Sequence, residues 1–180
     1  MKIAKNAFCF LILCCLVSSA FFTACRYDQE TITVLKVIDG DTLRVRLKGK
    51  AEKIRLIGID TPEIRVNNKA QRDARRSKMD ISSILRQGQE SRRFVRTLVK
   101  RGDRIRVSFD VQKRDRFGRL LGYVYLSDGR MLNEEIIRAG FASLLSIPPN
   151  IRYQKRFQKV FMEARHNKRG LWEDTALSDK

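Results

Sequence analysis

The sequence predicts an α+β domain in which five short antiparallel strands close into a small barrel and three helices pack outside it. Apolar residues alternate with polar ones in five short stretches, and they recur at helical intervals in three other segments. The order of these segments is three strands, a helix, two strands and two helices, which suits a barrel of the OB type. The length of 180 residues fits a single domain.

Turn residues bound each of the five expected strands. Asp39-Gly40-Asp41 separates the first two strands, Asp60-Thr61-Pro62 ends the third, and Arg116-Phe117-Gly118-Arg119 separates the last two. The apolar residues of the five strands are Ile32 and Val34; Leu43, Val45 and Leu47; Ile54, Leu56, Ile57 and Ile59; Ile105, Val107 and Phe109; and Leu121, Tyr123 and Tyr125.

Three helices are predicted from apolar residues that share one helical face. The first runs from about Glu90 to Lys100, the second should end at Gly140, and the third should end near Gly170, because glycine is common just past a helix C-terminus. Their apolar residues are Phe94, Val95, Leu98 and Val99; Leu132 and Ile136; and Tyr153, Phe157, Val160, Phe161 and Ala164.

The composition combines a substantial core with a strong positive charge. Hydrophobic residues make up 43% of the chain and charged residues 32%, which excludes a collagen, a coiled coil and a wholly disordered chain, and argues against a multi-span membrane protein. The formal net charge of +18 favours a polyanionic partner, either nucleic acid or an anionic membrane face. His166 is the single histidine, so the chain has no histidine pair for zinc.

The stretch from Val66 to Gln87 is unusually basic, with Asp73 and Asp80 as its only acids. Two interpretations are open: a solvated, partly helical loop, or a basic flap over a nucleic-acid groove. The basic residues are Lys69, Arg72, Arg75, Arg76, Lys78 and Arg86.

The amino terminus has the features of an export signal. Lys2 and Lys5 precede an uncharged apolar run, residues 7–17, and the segment Phe22-Thr23-Ala24-Cys25 resembles a bacterial lipobox. This resemblance predicts that Cys25 is lipidated and becomes the first residue of the mature protein. All four cysteines lie in the first 25 residues, so no disulfide framework is expected in the remainder.

Two other interpretations of this segment remain open: cleavage after Ala20 with plain secretion, or an uncleaved membrane anchor. In each case the protein is exported, and the lipobox favours a membrane-anchored lipoprotein of a bacterial cell envelope. The expected division is a signal peptide over residues 1–25, a tether over 26–30, a folded domain over 31–175 and a tail over 176–180.

Several acids and two arginines gather at the expected strand ends. Any one acid there can be a simple turn former, because aspartate side chains bond nearby backbone amides. The whole set in so basic a protein instead suits a hard cation held beside a phosphate. All-oxygen ligands favour Ca²⁺ or Mg²⁺ over zinc. The residues of the set are Asp39, Asp41, Asp60, Glu63, Arg55 and Arg119.

Three separated motifs, in order and with fitting spacing, closely resemble signature segments of the staphylococcal nuclease family. Met131-Leu132-Asn133-Glu134 and Gly170-Leu171-Trp172 match later parts of the same family, so the resemblance covers roughly residues 31–173. The three motifs are Val37-Ile38-Asp39-Gly40-Asp41-Thr42, Arg55-Leu56-Ile57-Gly58-Ile59-Asp60-Thr61-Pro62-Glu63 and Asp115-Arg116-Phe117-Gly118-Arg119.

The resemblance implies an OB-type barrel and a Ca²⁺-dependent endonuclease acting on DNA and RNA, expected here as a monomer. Asp41, Asp60 and the backbone carbonyl of Thr61 would then hold the calcium. Asp39 would lie next to these ligands without touching the calcium itself. Glu63 would be the general base or would orient the attacking water. Arg55 and Arg119 would bind the scissile phosphate.

The sequence departs from the family around the nucleotide pocket. Phe117 stands where the family has a tyrosine, and residues 142–152 lack the two tyrosines that line the family's pocket, with Tyr153 as a partial substitute. Catalysis is therefore expected to be intact and nucleotide binding altered. A nucleic-acid-binding OB module without hydrolysis is the main alternative, and a surface adhesin or scaffold is a third hypothesis without a positive feature.

Overall fold

The computed structural model describes residues 29–173, and the predicted signal peptide, the lipidation site Cys25 and residues 174–180 lie outside this range. The described chain contains seven strands, four α-helices and a short 3₁₀ helix, Gly170–Trp172. The strands are β1 (Gln29–Val37), β2 (Thr42–Leu47), β3 (Lys50–Leu56), β4 (Gly58–Asp60), β5 (Arg104–Ser108), β6 (Leu120–Tyr125) and β7 (Ser143–Leu145). The helices are α1 (Asn68–Ser77), α2 (Ile81–Leu98), α3 (Leu132–Arg138) and α4 (Gln154–His166).

Five strands form a closed barrel in the order β1-β2-β3-β6-β5, and β5 pairs with β1 to complete it. The predicted five-stranded OB-type barrel is therefore confirmed. One expected detail differs: β3 and β6 pair in parallel, with Arg55 opposite Leu121, whereas the other barrel pairs are antiparallel. The parallel pair is possible because the long segment between these strands, which contains α1 and α2, acts as a crossover connection.

The interior of the barrel is apolar. Alternate residues of β1 and β2 point inwards, and Ile32, Val34, Leu43 and Val45 are at most 1% exposed. Strand β1 begins at Gln29, inside the expected tether, because its first residues pair with Val107 and Ser108 of β5.

Strand β6 differs from the simple alternation expected for it, because both of its faces are covered. Leu120 and Val124 are buried with the barrel strands, and a side chain at Gly122 would strike Val107. On the opposite face, the ring of Tyr123 packs edge-on against Tyr153, with ring centroids 4.6 Å apart. A strand covered on both faces shows no alternation of polar and apolar residues.

The connection between β4 and β5 contains the largest departures from the predicted elements. Helix α1 is an additional helix in the basic stretch, where Ala70 is its only buried residue. Helix α2 begins at Ile81, nine residues before the expected start, because its buried stripe is Ile84, Gly88, Ser91 and Val95. Two small residues in that stripe hide the helical period from an apolar count.

A second, two-stranded sheet holds the end of the third predicted strand. The expected strand through Ile59 divides at Ile57 into β3 and β4, and β4 pairs with β7, with Asp60 opposite Ser143. The paired β4 thereby fixes the start of the loop that carries Asp60 and Thr61. In residues 29–173 no helix is both long and apolar enough to span a bilayer.

The C-terminal part of the described chain is anchored where α3 ends. Gly140 has a φ of 79° and follows α3 as expected, and the backbone of Arg169 approaches so closely that a side chain at Gly140 would lie 1.9 Å from its carbonyl oxygen. The Leu171 amide donates to the Gly140 carbonyl at 3.1 Å. This contact brings the 3₁₀ helix against the end of α3.

Candidate active site

A cleft of about 1280 Å³ brings together residues from the ends of β1, β3 and β4, from α1 and from the loop before β6. Six of the predicted site residues line it: Asp39, Asp41, Arg55, Asp60, Glu63 and Arg119. Thr61 lies directly behind the cleft and contacts Asp41 through its backbone amide and hydroxyl. The residues predicted from three separated motifs therefore form one site.

Asp41 is buried and every hydrogen bond it accepts comes from a neighbouring part of the same site. Its Oδ2 accepts from the backbone amide of Thr61 at 3.0 Å and from the Thr61 hydroxyl at 3.2 Å. Its Oδ1 accepts from the Thr42 hydroxyl at 2.9 Å. These bonds fix the carboxylate between the turn after β1 and the loop after β4.

Arg55 joins the two predicted metal-ligating carboxylates. Its NH2 atom lies 3.0 Å from Asp41 Oδ2 and 2.8 Å from Asp60 Oδ1. Its NH1 atom donates to the carbonyls of Leu56 and Ile59 at 2.9 and 2.7 Å. The guanidinium thus neutralises both acids and closes the turn between β3 and β4, and in this arrangement both terminal nitrogens are engaged by the protein.

The three aspartates differ in how readily they ionise. Burial raises the pKa of Asp39 to about 7, and the neighbouring charge of Asp41 acts in the same direction. Burial also acts to raise the pKa of Asp41, but the charge of Arg55 and the amide of Thr61 hold it below its usual range. For Asp60, burial outweighs the positive charges of Lys69 and Arg55, so its pKa is raised. Asp41 is thus the most firmly ionised of the three.

Glu63 is held by Asn67, the residue that caps the start of α1. Asn67 Nδ2 donates to Glu63 Oε2 at 2.8 Å, while Asn67 Oδ1 accepts from the Ala70 amide at 2.8 Å and so caps the helix. The side chain of Glu63 is 26% exposed and lines the cleft. One amide side chain therefore couples the position of Glu63 to the beginning of α1.

Lys69, in the first turn of α1, places its ammonium group among oxygen atoms of the same site. Nζ donates to the Thr61 carbonyl at 2.9 Å and lies 3.2 Å from Asp60 Oδ2 and 3.6 Å from Glu63 Oε1. It also pairs with Asp73, one turn later, at 3.0 Å. Burial acts to lower the pKa of Lys69, but the carboxylates of Asp60 and Asp73 outweigh it and the pKa is raised.

Arg119 is positioned by Asp115 within the turn before β6. Its Nε donates to Asp115 Oδ2 at 2.7 Å, and its backbone amide donates to Asp115 Oδ1 at 2.9 Å. In residues 29–173, none of the hydrogen bonds involves the terminal nitrogens of Arg119, which leaves its two-pronged end available to a ligand. Phe117 is 68% exposed, and the guanidinium of Arg119 lies 5.5 Å from its ring centroid.

Helix α2 forms the wall against which both acidic loops rest. A side chain at Gly40 would lie 2.8 Å from the side chain of Thr61 and 2.9 Å from Ser91. A side chain at Gly88 would lie 2.3 Å from the backbone oxygen of Glu63. The small residues of α2 therefore allow the turn after β1 and the loop after β4 to approach the helix closely.

Several residues of this site were not predicted from the sequence. Lys69 and Asn67 belong to a stretch expected to be a solvated loop or a flap, and the available signal was the helix-capping pattern that begins at Asn67. Gly88 had no signal in the apolar pattern. Tyr153, expected as a partial substitute in the pocket, lies elsewhere: its hydroxyl is 3.0 Å from that of Tyr125.

Comparison with known proteins assigns the family. The family model described as staphylococcal nuclease homologue matches residues 53–174, more than half of the chain. The chain belongs to the staphylococcal nuclease family. It is 32% identical to the thermonuclease of Staphylococcus hyicus, over 81% of this chain and 77% of that protein.

Two further relatives agree with this family assignment. Identity to the thermonuclease of Staphylococcus intermedius is 31%, over 80% of this chain and 77% of that protein. Identity to endonuclease YncB of Bacillus subtilis is also 31%, over 78% of this chain and 61% of that protein. The matches to the two thermonucleases therefore cover most of each protein.

Carboxylate and carbonyl oxygens, which line this site, are the ligands that a hard cation prefers. Here the positively charged side chains of Arg55 and Lys69 contact these oxygens. Within residues 29–173, no group of three or more histidine, cysteine, aspartate or glutamate side chains is arranged to hold a metal ion. Asp41 and Asp60 are instead bridged by Arg55. Asp60, Thr61 and Glu63 nevertheless direct oxygens towards one positive group, the Lys69 ammonium, which marks a position suited to a cation.

Proposed function

We propose that this protein is a calcium-dependent, exported endonuclease that hydrolyses phosphodiester bonds of DNA and RNA. Membership of the staphylococcal nuclease family establishes the coarser part of this statement, a nuclease and therefore a hydrolase. The observation that carries the proposal is one cleft lined by Asp60, Glu63 and Arg119, in which oxygens of Asp60, Thr61 and Glu63 converge on one positive group.

The proposed calcium ligands are Asp41, Asp60 and the backbone carbonyl of Thr61. When bound, calcium would polarise the phosphate and reduce the repulsion between the substrate and an incoming nucleophile. Asp41 is suited to a cation because it is buried and firmly ionised. The hydrogen bond from the Thr61 amide to the Asp41 carboxylate holds these two residues next to each other.

Glu63 is the proposed proton acceptor. A water molecule attacks phosphorus and gives one proton to a carboxylate oxygen of Glu63, while the bond between phosphorus and the leaving oxygen breaks. The leaving oxygen departs with its strand and takes up a proton from solvent. Asn67 binds only one carboxylate oxygen at hydrogen-bond distance, so the other can face the water once Lys69 moves aside.

Two arginines are the proposed phosphate ligands. Arg119 presents both terminal nitrogens in a fork that matches two phosphate oxygens, and Asp115 holds that fork by Nε. Arg55 would contribute through its NH2 atom, which must leave Asp41 and Asp60 to reach a phosphate. Their fixed charge would stabilise the negative charge that develops in the transition state.

Purified full-length protein should cut circular DNA and structured RNA when calcium is supplied. A calcium-selective chelator should abolish cleavage, and added calcium should restore it. Glu63→Gln keeps the shape of the side chain but removes its basicity, so kcat should fall by about 10²–10⁴. The matched control is Glu163→Gln, on the exposed face of α4, which should cleave like the wild type.

Three outcomes would contradict parts of this proposal. Cleavage unaffected by the chelator would exclude calcium dependence, and a near-normal rate for Glu63→Gln would exclude its role as the base. Retention of DNA in a gel shift without any cleavage would favour the alternative, a binding module that does not hydrolyse its ligand.

The proposed location is a bacterial cell envelope, with the chain anchored to a membrane by lipid on Cys25. The support is the sequence of residues 1–25, which places a lipobox-like segment after a charged start and an apolar run. Cells fed a labelled fatty acid should label the wild-type protein and leave Cys25→Ala unlabelled. Unlabelled wild-type protein in the culture medium would instead indicate plain secretion.

A further inference from the structure

Among residues 29–173, Lys69 is the one positively charged side chain whose charged group contacts three of the proposed metal-site and catalytic residues through oxygen atoms. Its Nζ lies 2.9 Å from the Thr61 carbonyl, 3.2 Å from Asp60 Oδ2 and 3.6 Å from Glu63 Oε1. The side chain is 24% exposed, so it lies largely inside the cleft. This arrangement is a cation in a shell of oxygens.

The place of Lys69 in its helix is unfavourable by local rules. It is the second residue of α1, where the helix dipole disfavours a positive charge, and no acid lies in that first turn. The oxygens of the cleft and of Asp73 compensate for this position. Lys69 is therefore held in place by the acidic groups around it, against the preference of the helix dipole.

Calcium and the Lys69 ammonium cannot share these oxygens. Calcium binds oxygen at about 2.3–2.6 Å, so an ion on Asp60 and Thr61 would lie within a few ångströms of Nζ. Two positive groups at that separation repel each other strongly in a partly buried site. Binding of one therefore requires departure of the other.

We propose that Lys69 is an intramolecular competitor for the calcium site and sets the calcium concentration at which the site fills. This inference rests on the proposed function, because it assumes that Asp60 and Thr61 are calcium ligands. When calcium enters, Lys69 leaves these oxygens and keeps its pair with Asp73, one helical turn away. The displaced side chain also leaves Glu63 free to face water.

Calorimetric titration of calcium into purified full-length protein, without substrate, tests the proposal. Lys69→Met keeps an unbranched side chain one atom shorter and removes its charge, so the calcium dissociation constant should fall at least about tenfold, equivalent to about 1.4 kcal/mol. The matched control is Arg75→Met, which removes one charge from the same helix at an exposed position that does not line the cleft. Its dissociation constant should change less than about threefold, as expected for a screened charge.

A second measurement uses the wild type alone and needs no variant to fold. Labelling of lysines with an amine-reactive ester, read by mass spectrometry, should modify Lys69 faster when calcium is present. Lys78, exposed at the end of α1, is the internal reference and should label at the same rate in both conditions.

The outcomes separate this proposal from the proposed function. The competitor role would be overturned if Lys69→Met and Arg75→Met bound calcium with equal affinity. It would also be overturned if calcium bound without faster labelling of Lys69. Neither result would contradict the proposed calcium site. No calcium binding by the wild type or by Lys69→Met would overturn the calcium site itself, and this inference with it.

Discussion

Gly88 allows a direct test of how α2 supports the loop that carries Glu63, the proposed base. In Gly88→Ala the new methyl carbon would lie 2.3 Å from the backbone oxygen of Glu63 and 2.7 Å from that of Pro62. Ordinary contact requires at least 3.4 Å, so the loop or the helix must move by about 1 Å. The contacts are backbone atoms, which cannot rotate away as a side chain could.

Two effects on stability oppose each other in this variant. Alanine stabilises a helix relative to glycine by about 1 kcal/mol, whereas overpacking costs about 1–3 kcal/mol. Because the obstruction is rigid on both sides, we expect the overpacking to dominate, with a net loss of about 1–2 kcal/mol. A shift of about 1 Å in a catalytic group can lower the rate by about 10²-fold.

Urea denaturation and the cleavage rate at saturating substrate and calcium measure these two quantities. Gln89→Ala is the matched control, because Gln89 is the next residue of α2 and is exposed. It should keep its activity and its stability within about 0.5 kcal/mol. If Gly88→Ala is more stable than the wild type and cleaves within a factor of about three, the close approach of Gly88 and Glu63 does not support the site.

Other predictions concern the charged rim of the cleft. Arg72 and Arg76 line the cleft and Arg75 does not. Replacing Arg72 and Arg76 with glutamine should reduce the slope of log binding constant against log salt concentration by up to about 0.9 for each phosphate contact that is lost. Arg75→Gln should leave this slope unchanged. An unchanged slope would restore the interpretation of α1 as a solvated segment. Asp115→Asn should slow cleavage by releasing Arg119. Burial acts to raise the pKa of Asp115, but the hydrogen bonds and charge of Arg119 lower it by more, so the pKa lies below its usual value. Above about pH 4 the carboxylate therefore stabilises the folded protein by up to about 1 kcal/mol. The difference in stability between the wild type and Asp115→Asn should shrink as the pH falls through the lowered pKa. A difference that stays constant from pH 7 to pH 3 would contradict this.

The barrel could be predicted because its strands have one face in the core. Ile32 and Val34 stand out from polar neighbours, so a period of two is visible in β1. In β6 the signal is weaker, since Tyr123 packs against α4 while Val124 faces the barrel. Strand β7 carries too few buried residues to be recognised without its partner β4.

The acids and arginines of the site could also be predicted, because turns concentrate them at the ends of strands. Asp41 and Asp60 come from different turns, and their adjacency follows from the pairing of Thr42 with Arg55. Lys69 and Asn67 could not be assigned to the site, because their positions depend on where α1 lies in space. The helix itself was hidden by its composition, since one alanine is its whole buried face.

The four bonds of Arg55 affect how its variants can be interpreted. The side chain crosslinks the turn between β3 and β4 through the carbonyls of Leu56 and Ile59, besides bridging two acids. An inactive Arg55 variant would therefore report a mixture of local unfolding, charge imbalance and lost phosphate binding. The side chain of Arg119 bonds to Asp115 within the same turn, outside the barrel strands, so we expect Arg119 variants to report on chemistry more directly.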